Sequence, residues 1–574
     1  MSNRLTSFLS PNRLHSGLRR GLFLSLFALL LCCFITLSHP LLADVTIKFD
    51  DLKDGDKISD VAIIVVRADS NDGVDKVEFA VDDQLKFTTG STPYTYKWDT
   101  ITEIEGKHVL AVTAIDSNGV KKTVTLNLTI DNDIEAGAEA LAAKSVASLK
   151  AKDVEAAVKF SRRALKADPT NIDAARSYSA VLASRYDLEK AISTLAKAKN
   201  LDKSVDALLE LSSYRVKRAF RPEFAASVGK ELEIVFNLRK QAATLQLEAL
   251  KTRDFSANPN EGARQRGDTY FLAGRYKEAQ TEFTRFTDNS NIANLTRLTL
   301  AYTMDHQEGQ TFSFFKTALR EKTTDQPARA VIGLALLRQR LFIDAKAMVS
   351  NDAARGYGAA LIIASYADSA LGKPETALRE ALQAQEVLPE LGEVHFALSM
   401  CLPKLAESER ELVQAIVLSP LMHGPYLDYA QRFVIDSHYP DRFENALTFT
   451  DFVLKNDPGN DSAKFLKTLI YLGQKPPHIP EAEILLLELT KKEPKAADFL
   501  IATSTYFTLK GNATAASDRL ERGKKADSQF DALVLPPTAM EVVAYILRKR
   551  HYRAEFFLST AALYPPKPAS ADTK

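Results

Sequence analysis

Two periodicities divide the chain. Between residues 44 and 132 apolar and polar positions alternate in short runs, at 45–49, 62–68, 76–81, 85–88, 94–98, 108–115 and 123–130. Successive side chains of a strand point to opposite faces, so each run predicts a strand buried on one side. Turns rich in Asp, Asn and Gly separate the runs. Asp116-Ser-Asn-Gly119 predicts a tight hairpin, because Asn-Gly tolerates positive φ. Seven short strands at this spacing predict a β-sandwich. From residue 134 onward the apolar positions recur at helical spacing and strand patterns stop.

The helical pattern itself repeats. Ala157 precedes Ala191 by 34 residues, and the same offset lays Ser145 on Ser179 and Ala164 on Ala198. Small side chains at these places let two helices approach closely, while Leu141, Phe160, Leu182 and Leu195 fill the space between layers. Asp168-Pro169 ends a helix that Pro cannot continue. A period of this length, with small residues in fixed places and Pro after the second helix, resembles the tetratricopeptide repeat. Degenerate copies follow, the clearest being Gly267-x-x-Tyr270…Gly274-Arg-Tyr-Lys-Glu-Ala279-x-x-x-Phe283. Tyr545…Tyr552-Arg-Ala554…Ala561 reads as the last, giving about ten to twelve repeats. Residues 205–258 keep helical periodicity without the small-residue register, which predicts longer helices interrupting the array. Lys475-Pro-Pro-His-Ile-Pro480 reads as an insertion within a repeat.

The strand region carries a second resemblance. Pro93-Tyr94 before a strand, Trp98 at its end, Gly106, and the Ala114-x-Asp116-x-x-Gly119 hairpin resemble bacterial immunoglobulin-like modules. Such modules serve as spacers, adhesins and sugar binders alike, so the likeness implies a fold and no ligand. The expected fold class is multidomain: a small all-β immunoglobulin-like sandwich followed by a long all-α superhelical solenoid. The expected divisions are 1–43, a signal peptide or N-terminal membrane anchor; 44–133, the sandwich; 134–564, the solenoid; and 565–574, a disordered tail.

The export reading rests on Arg4, Arg13, Arg19 and Arg20 before an apolar run at 21–37, with Leu41-Leu42-Ala43 as a cleavage site. If the run is retained it anchors the chain, and basic residues on its N-terminal side keep that end inside. Either way residues after 44 lie outside the cytoplasm: periplasmic, at the cell surface or secreted. Cys401 is the one cysteine beyond that segment, so no internal disulfide is expected, and its apolar neighbours predict a buried thiol. A net charge of +1 argues against a nucleic-acid binder acting by bulk charge. The sandwich is acidic, and with the basic leader set aside the helical part is mildly basic.

Candidate chemistry is sparse. The sequence has no Gly-rich phosphate loop, His-Glu-x-x-His, Gly-x-Ser-x-Gly or Cys-x-x-Cys. No cofactor, resident metal or catalytic residue is expected, and the chain reads as a non-enzyme. The oxygen-rich stretch Asp50, Asp51, Asp54, Asp56, Asp60 has the chemistry of a Ca²⁺ site but not the EF-hand spacing, and solvated turn residues explain it equally. Trp98 either packs in the sandwich core, the commoner role, or stacks on a sugar.

In the repeat family the first helix of each pair faces the groove. Register places Arg176, Arg264, Asp268 and Phe271 there as candidate partner-binding residues. The family's carboxylate clamp needs Lys and Asn at positions held here by Ala142 and Val146, Arg176 and Ala180, Arg264 and Asp268, so that clamp is not expected. The leading expectation is an extracytoplasmic scaffold that binds a protein or peptide in the helical groove, with the sandwich as spacer or docking domain. The alternative is a glycan-binding or adhesive surface protein with the solenoid as stalk. Burial of Trp98 and Tyr96 would favour the first.

Overall fold

A computed structural model describes residues 45–286, 291–307, 309–313, 324–435, 441–533, 538–548 and 554–565. The expected leader at 1–43 lies outside the described residues, as does the tail beyond Pro565. The chain separates into two compact units that divide between Ala136 and Gly137.

The first unit has eight strands: β1 Thr46–Phe49, β2 Lys57–Ile58, β3 Val61–Asp69, β4 Val74–Val81, β5 Gln84–Thr89, β6 Tyr94–Asp99, β7 Gly106–Asp116 and β8 Lys121–Ile130. They form a three-stranded sheet, β1-β3-β6, and a five-stranded sheet, β2-β8-β7-β4-β5. Alternation puts Val66, Phe79, Leu110, Val112 and Leu128 into one core. Strand β2 was not legible. It is two residues long inside the acidic stretch, and it pairs with β8 in parallel. The acids of that stretch and of the hairpin bind backbone amides, of β8 in the first case and of the hairpin turn in the second. Asp54 Oδ1 accepts from Asn127 N (2.6 Å), and Asp116 Oδ1 accepts from Asn118 N (2.9 Å) and Val120 N (2.8 Å).

The second unit is a run of helix pairs. Helix Ala138–Lys150 packs on Val154–Ala167, and Ile172–Ser184 on Leu188–Ala196. The pattern recurs through Gly358–Ala370 with Pro374–Val387 to Ala497–Leu509 with Ala513–Ala526. In six of the pairs the first helix ends on a left-handed residue: Lys152, Tyr186, Gly274, Arg340, Gly372 or Gly511. The second helix is often capped by a side chain that accepts from its first turn, as Asp153, Asp187 and Asn512 do. The register has a physical signature. Ser145, Ser365 and Ser504 each donate to the carbonyl twelve residues on, that of Ala157 (2.9 Å), Ala377 (2.8 Å) and Ala516 (2.7 Å). Small residues pull the two helices together, and one hydroxyl pins the contact. At Gly267 a Cβ would collide with Phe283, and at Gly333 with Ile363, so there glycine serves the same close approach.

The array is not linear in its contacts. Residues 205–258 form helix Val205–Ala219 and the 25-residue helix Val228–Thr252. The long helix packs on Arg442–Asn456, where Phe236 meets Phe452 with ring centroids 4.8 Å apart. Arg239 donates to Val417 O (3.2 Å), and Arg340 pairs with Glu493 (3.2 Å). The expected last repeat is also different. After helix Ala539–Arg548, residues 554–559 have no regular structure and only Thr560–Leu563 is helical. An apolar run that could have made a helix is instead drawn across other helices, described next.

Candidate functional site

Five first helices, Ile292–Met304, Gln326–Arg338, Gly358–Ala370, Gly392–Cys401 and Gly424–Ile435, each contribute a contact to one seam. Two of them are buried all round. Residues 358–368 of the third are buried without a break, as are residues 392–399 of the fourth, Glu393 and His395 included. A helix buried on every face must be covered on both sides. Neighbouring repeats cover one side, and residues 554–564 cover the other.

The segment touches all five helices, starting at the fifth and second and ending at the first. At Gly424 a Cβ would collide with the carbonyl oxygen of Glu555, so only glycine lets the two backbones meet. Arg338 Nη1 donates to Glu555 Oε2 (3.1 Å) and to Phe556 O (3.1 Å). Phe556 lies 4.9 Å from the Tyr366 ring, and Phe557 stacks at 5.7 Å on Phe396. Glu393 Oε1 accepts from both Ser559 N (2.9 Å) and Ser559 Oγ (2.6 Å). Tyr357 OH donates to Leu563 O (2.8 Å), Tyr564 OH donates to Ala293 O (3.3 Å), and the Arg297 guanidinium sits 3.9 Å above the Tyr564 ring.

A charged cluster flanks the Glu555 end. Arg338 Nη2 is 2.8 Å from His306 Nδ1. Arginine only donates, so Nδ1 accepts and the His306 proton sits on Nε2, facing Asp457 Oδ2 at 3.4 Å. His423 Nδ1 is 3.6 Å from the same oxygen. Burial holds His423 below the ordinary imidazole range. Burial alone would raise the Asp457 and Glu555 carboxyls. A hydrogen bond from His306 nevertheless holds Asp457 well below the usual range, and the Arg338 charge lowers Glu555. The Glu555 carboxylate is therefore an anion seated on a guanidinium.

The residues expected in the groove fall into three places. Arg176 forks onto Glu210 (Nη2–Oε1 2.8 Å), one repeat further on, and also reaches Asp173 (3.0 Å). It is half-buried and its fork is already engaged. Arg264 pairs with Glu261 and with Asp268 (3.3 Å), and Asp268 lies 3.4 Å from the Arg297 that covers Tyr564. Those two lead to the end of the occupied seam. Phe271 does not face a groove: it is fully buried, its ring 5.2 Å from Tyr276. Sequence reasoning passed over Arg338, Tyr366, Glu393, Phe396 and Gly424. The available signal was the high share of apolar and small residues in 358–370 and 392–401. In the sandwich Trp98 is a core residue, its Nε1 donating to Glu103 Oε1 (3.4 Å), whereas Tyr96 is half-buried against Phe87.

One comparison with known proteins bears on the first unit. Residues 46–112 match the bacterial Ig domain family. No curated protein matches the chain. Among solved structures, a tetramer of Cut9 and Hcn1 from the APC/C is 12% identical, covering 72% of this chain and 96% of that one, with a TM-score of 0.37. The Naa15/Naa10 complex bound to HypK-THB is 13% identical over 76% of this chain and 69% of that one, at 0.24. Fibronectin(III)-like modules of CbhA from Clostridium thermocellum are 22% identical over 15% of this chain and 97% of that one, at 0.14. By its own geometry, then, the chain joins a bacterial immunoglobulin-like module to a helical repeat array of the tetratricopeptide type. Both architectures typically act as non-catalytic scaffolds for protein interaction. Modules of the matched family are usually extracellular or surface-associated, and among the described residues no helix is long and apolar enough to cross a membrane.

Proposed function

We propose that the chain is an exported, non-enzymatic scaffold that holds a protein or peptide partner on the first helices of its repeats, with the immunoglobulin-like module as spacer or docking domain. The observation that carries this reading is the seam itself. Five successive repeats offer side chains that grip the backbone and rings of one non-repeat segment, as a peptide-binding groove must. The export half rests on the basic residues and apolar run of 1–37. Division of the chain into a spacer or docking module at 44–133 and a binding array at 134–564 belongs to the same proposal.

Photocrosslinking in cells tests it. A photoreactive residue replaces Arg176 or Ala180 on the first helix of a repeat in one arm, and the exposed Ile63 of β3 in the other. The expected result is a discrete crosslinked partner from the helical positions only, in the extracytoplasmic fraction. Crosslinks from Ile63 alone would move the function to the sandwich, where the half-buried Tyr96 and the exposed Phe87 are the aromatics left for a glycan.

A further inference from the structure

We propose that residues 554–565 are a built-in occupant of the partner groove, and that the external partner it takes is an extended peptide of the same chemistry: an acidic residue, two aromatics, an aliphatic and a hydroxyl residue. This rests on the groove reading above and gives it a ligand class. A partner must displace the chain's own segment, so the free protein is self-blocked.

Three observations carry the inference. First, the segment is held as a ligand is held. Part of its backbone is satisfied within the segment, where Thr560–Leu563 closes one helical turn, but three groups are met by the groove: Arg338 donates to Phe556 O, Tyr357 donates to Leu563 O, and Glu393 accepts from Ser559 N. These three contacts read backbone whether or not the segment is covalently joined to the array. Second, each recognised side chain has its own seat: an arginine for the acid, Tyr366 and Phe396 for the two rings, and a buried carboxylate for the hydroxyl. Gly424 is cleared of side chain where the strand passes. Third, a cavity lies beside the acidic end. Ala554 and Glu555 border a polar cavity of about 670 Å³ lined by Arg340, Asp461, Glu493 and Lys495 among others. A longer partner has room there for charged residues ahead of its acid.

A tethered occupant competes through effective concentration. At about 1 mM, against an intrinsic Kd of about 10 μM, it weakens an external peptide about a hundred-fold. The test uses the full chain and a labelled peptide, Ala-Glu-Phe-Phe-Leu-Ser-Thr-Ala-Ala-Leu-Tyr-Pro, followed by fluorescence anisotropy. Phe556→Asp with Phe557→Asp releases the internal copy. The expected result is that the released variant, with helical circular dichroism intact, binds the peptide about a hundred-fold more tightly than the unmodified chain. Adding Gly424→Ala should abolish that binding, and a peptide with Lys in place of Glu should lose at least about ten-fold. Equal affinity for both chains, or no binding by a folded released variant, overturns the proposal. If the released variant loses its helical signal, hydrogen exchange on the unmodified chain decides. Amides of 554–565 exchanging ahead of those in Gly358–Ala370 support a displaceable occupant, and exchange only with the whole unit makes the segment plain core and overturns it. A peptide that binds as stated while Arg176 and Ala180 capture no partner sinks the scaffold reading alone; the reverse sinks this one alone.

Discussion

Helices Ile172–Ser184 and Gly358–Ala370 hold the same place in their repeats, and Ser179 in one corresponds to Ser365 in the other. Their surroundings differ. In the first, Arg176, Tyr178 and Ala180 keep partial exposure, and Arg176 reaches only the next repeat through Glu210. In the second, every residue from Gly358 to Asp368 is buried, and Tyr366 meets Phe556 from the far end of the chain. The repeat register dictates how neighbours pack. It says nothing about what lies across the groove, which only the polarity of the first helix reveals. Stability should accordingly be local in one region and long-range in the other.

The largest effect is expected where that long-range packing is cut. Phe396 is fully buried, against Tyr366 on one side and Phe557 on the other. Phe396→Ala should cost about 3–5 kcal/mol in chemical denaturation, since it leaves an aromatic-sized cavity. Hydrogen exchange should show protection lost together in 358–370 and 554–564, nearly 200 residues apart. In the N-terminal repeats Ala191→Phe overpacks a contact with no exposed margin and should cost about 1–3 kcal/mol. There the loss of protection should stay within residues 138–219. Spread of the second defect into 358–435, or confinement of the first to one repeat, would erase the distinction.

The same contrast explains what could be read from the sequence. The sandwich strands and helix pairs were legible because each depends on local periodicity, turn residues and a small-residue offset. Strand β2 was not, because two residues carry no period. Phe271 was assigned to a groove by register, yet register fixes a position along the repeat and not which face the local packing buries. The seam was missed for a deeper reason. Glu555-Phe-Phe-Leu558 is apolar enough for a last helix, and only its packing against helices more than 150 residues earlier goes with its irregular backbone.

A smaller effect separates the two aligned serines. Ser365 Oγ donates to Ala377 O inside the core, and Ser365→Ala should cost about 1 kcal/mol by leaving that carbonyl short of a donor. Ser179 Oγ is buried at the same register and has no hydrogen-bond partner. Ser179→Ala should therefore be neutral or slightly stabilising. Thermal unfolding of the two variants side by side checks it. Equal losses would mean that the serine register is set by helix spacing alone and not by the hydroxyl.

The smallest effect lies in the other unit. His108 has an acceptor at each ring nitrogen, Asp82 Oδ2 at Nδ1 (2.6 Å) and Ile104 O at Nε2 (2.7 Å). Only the imidazolium can donate to both. Burial pushes the imidazole down, but the Ile104 carbonyl and the Asp82 carboxylate outweigh it and raise its pKa above 6.5. The Asp82 carboxyl is lowered, first by the Val109 amide. A raised histidine contributes stability that is full below pH 6.5 and lost as pH rises through its folded value. A lowered aspartate contributes stability that is present above pH 3.8 and lost as pH falls through its folded value. The sandwich should thus be most stable between these limits and soften from about pH 6 towards pH 8. Asp82 is half exposed, and water screens the pair, so the change should stay under about 1 kcal/mol. Trp98 is the one tryptophan of the chain and sits edge-on to His108 at 6.2 Å, so its emission reports this unit within the full protein. Urea unfolding followed by Trp98 emission at pH 6 and pH 8 should show the higher midpoint at pH 6, and His108→Gln should remove the difference. A midpoint that rises with pH, or a variant that keeps the original slope, would mean that the protonated histidine is not what ties β7 to the Asp82 turn.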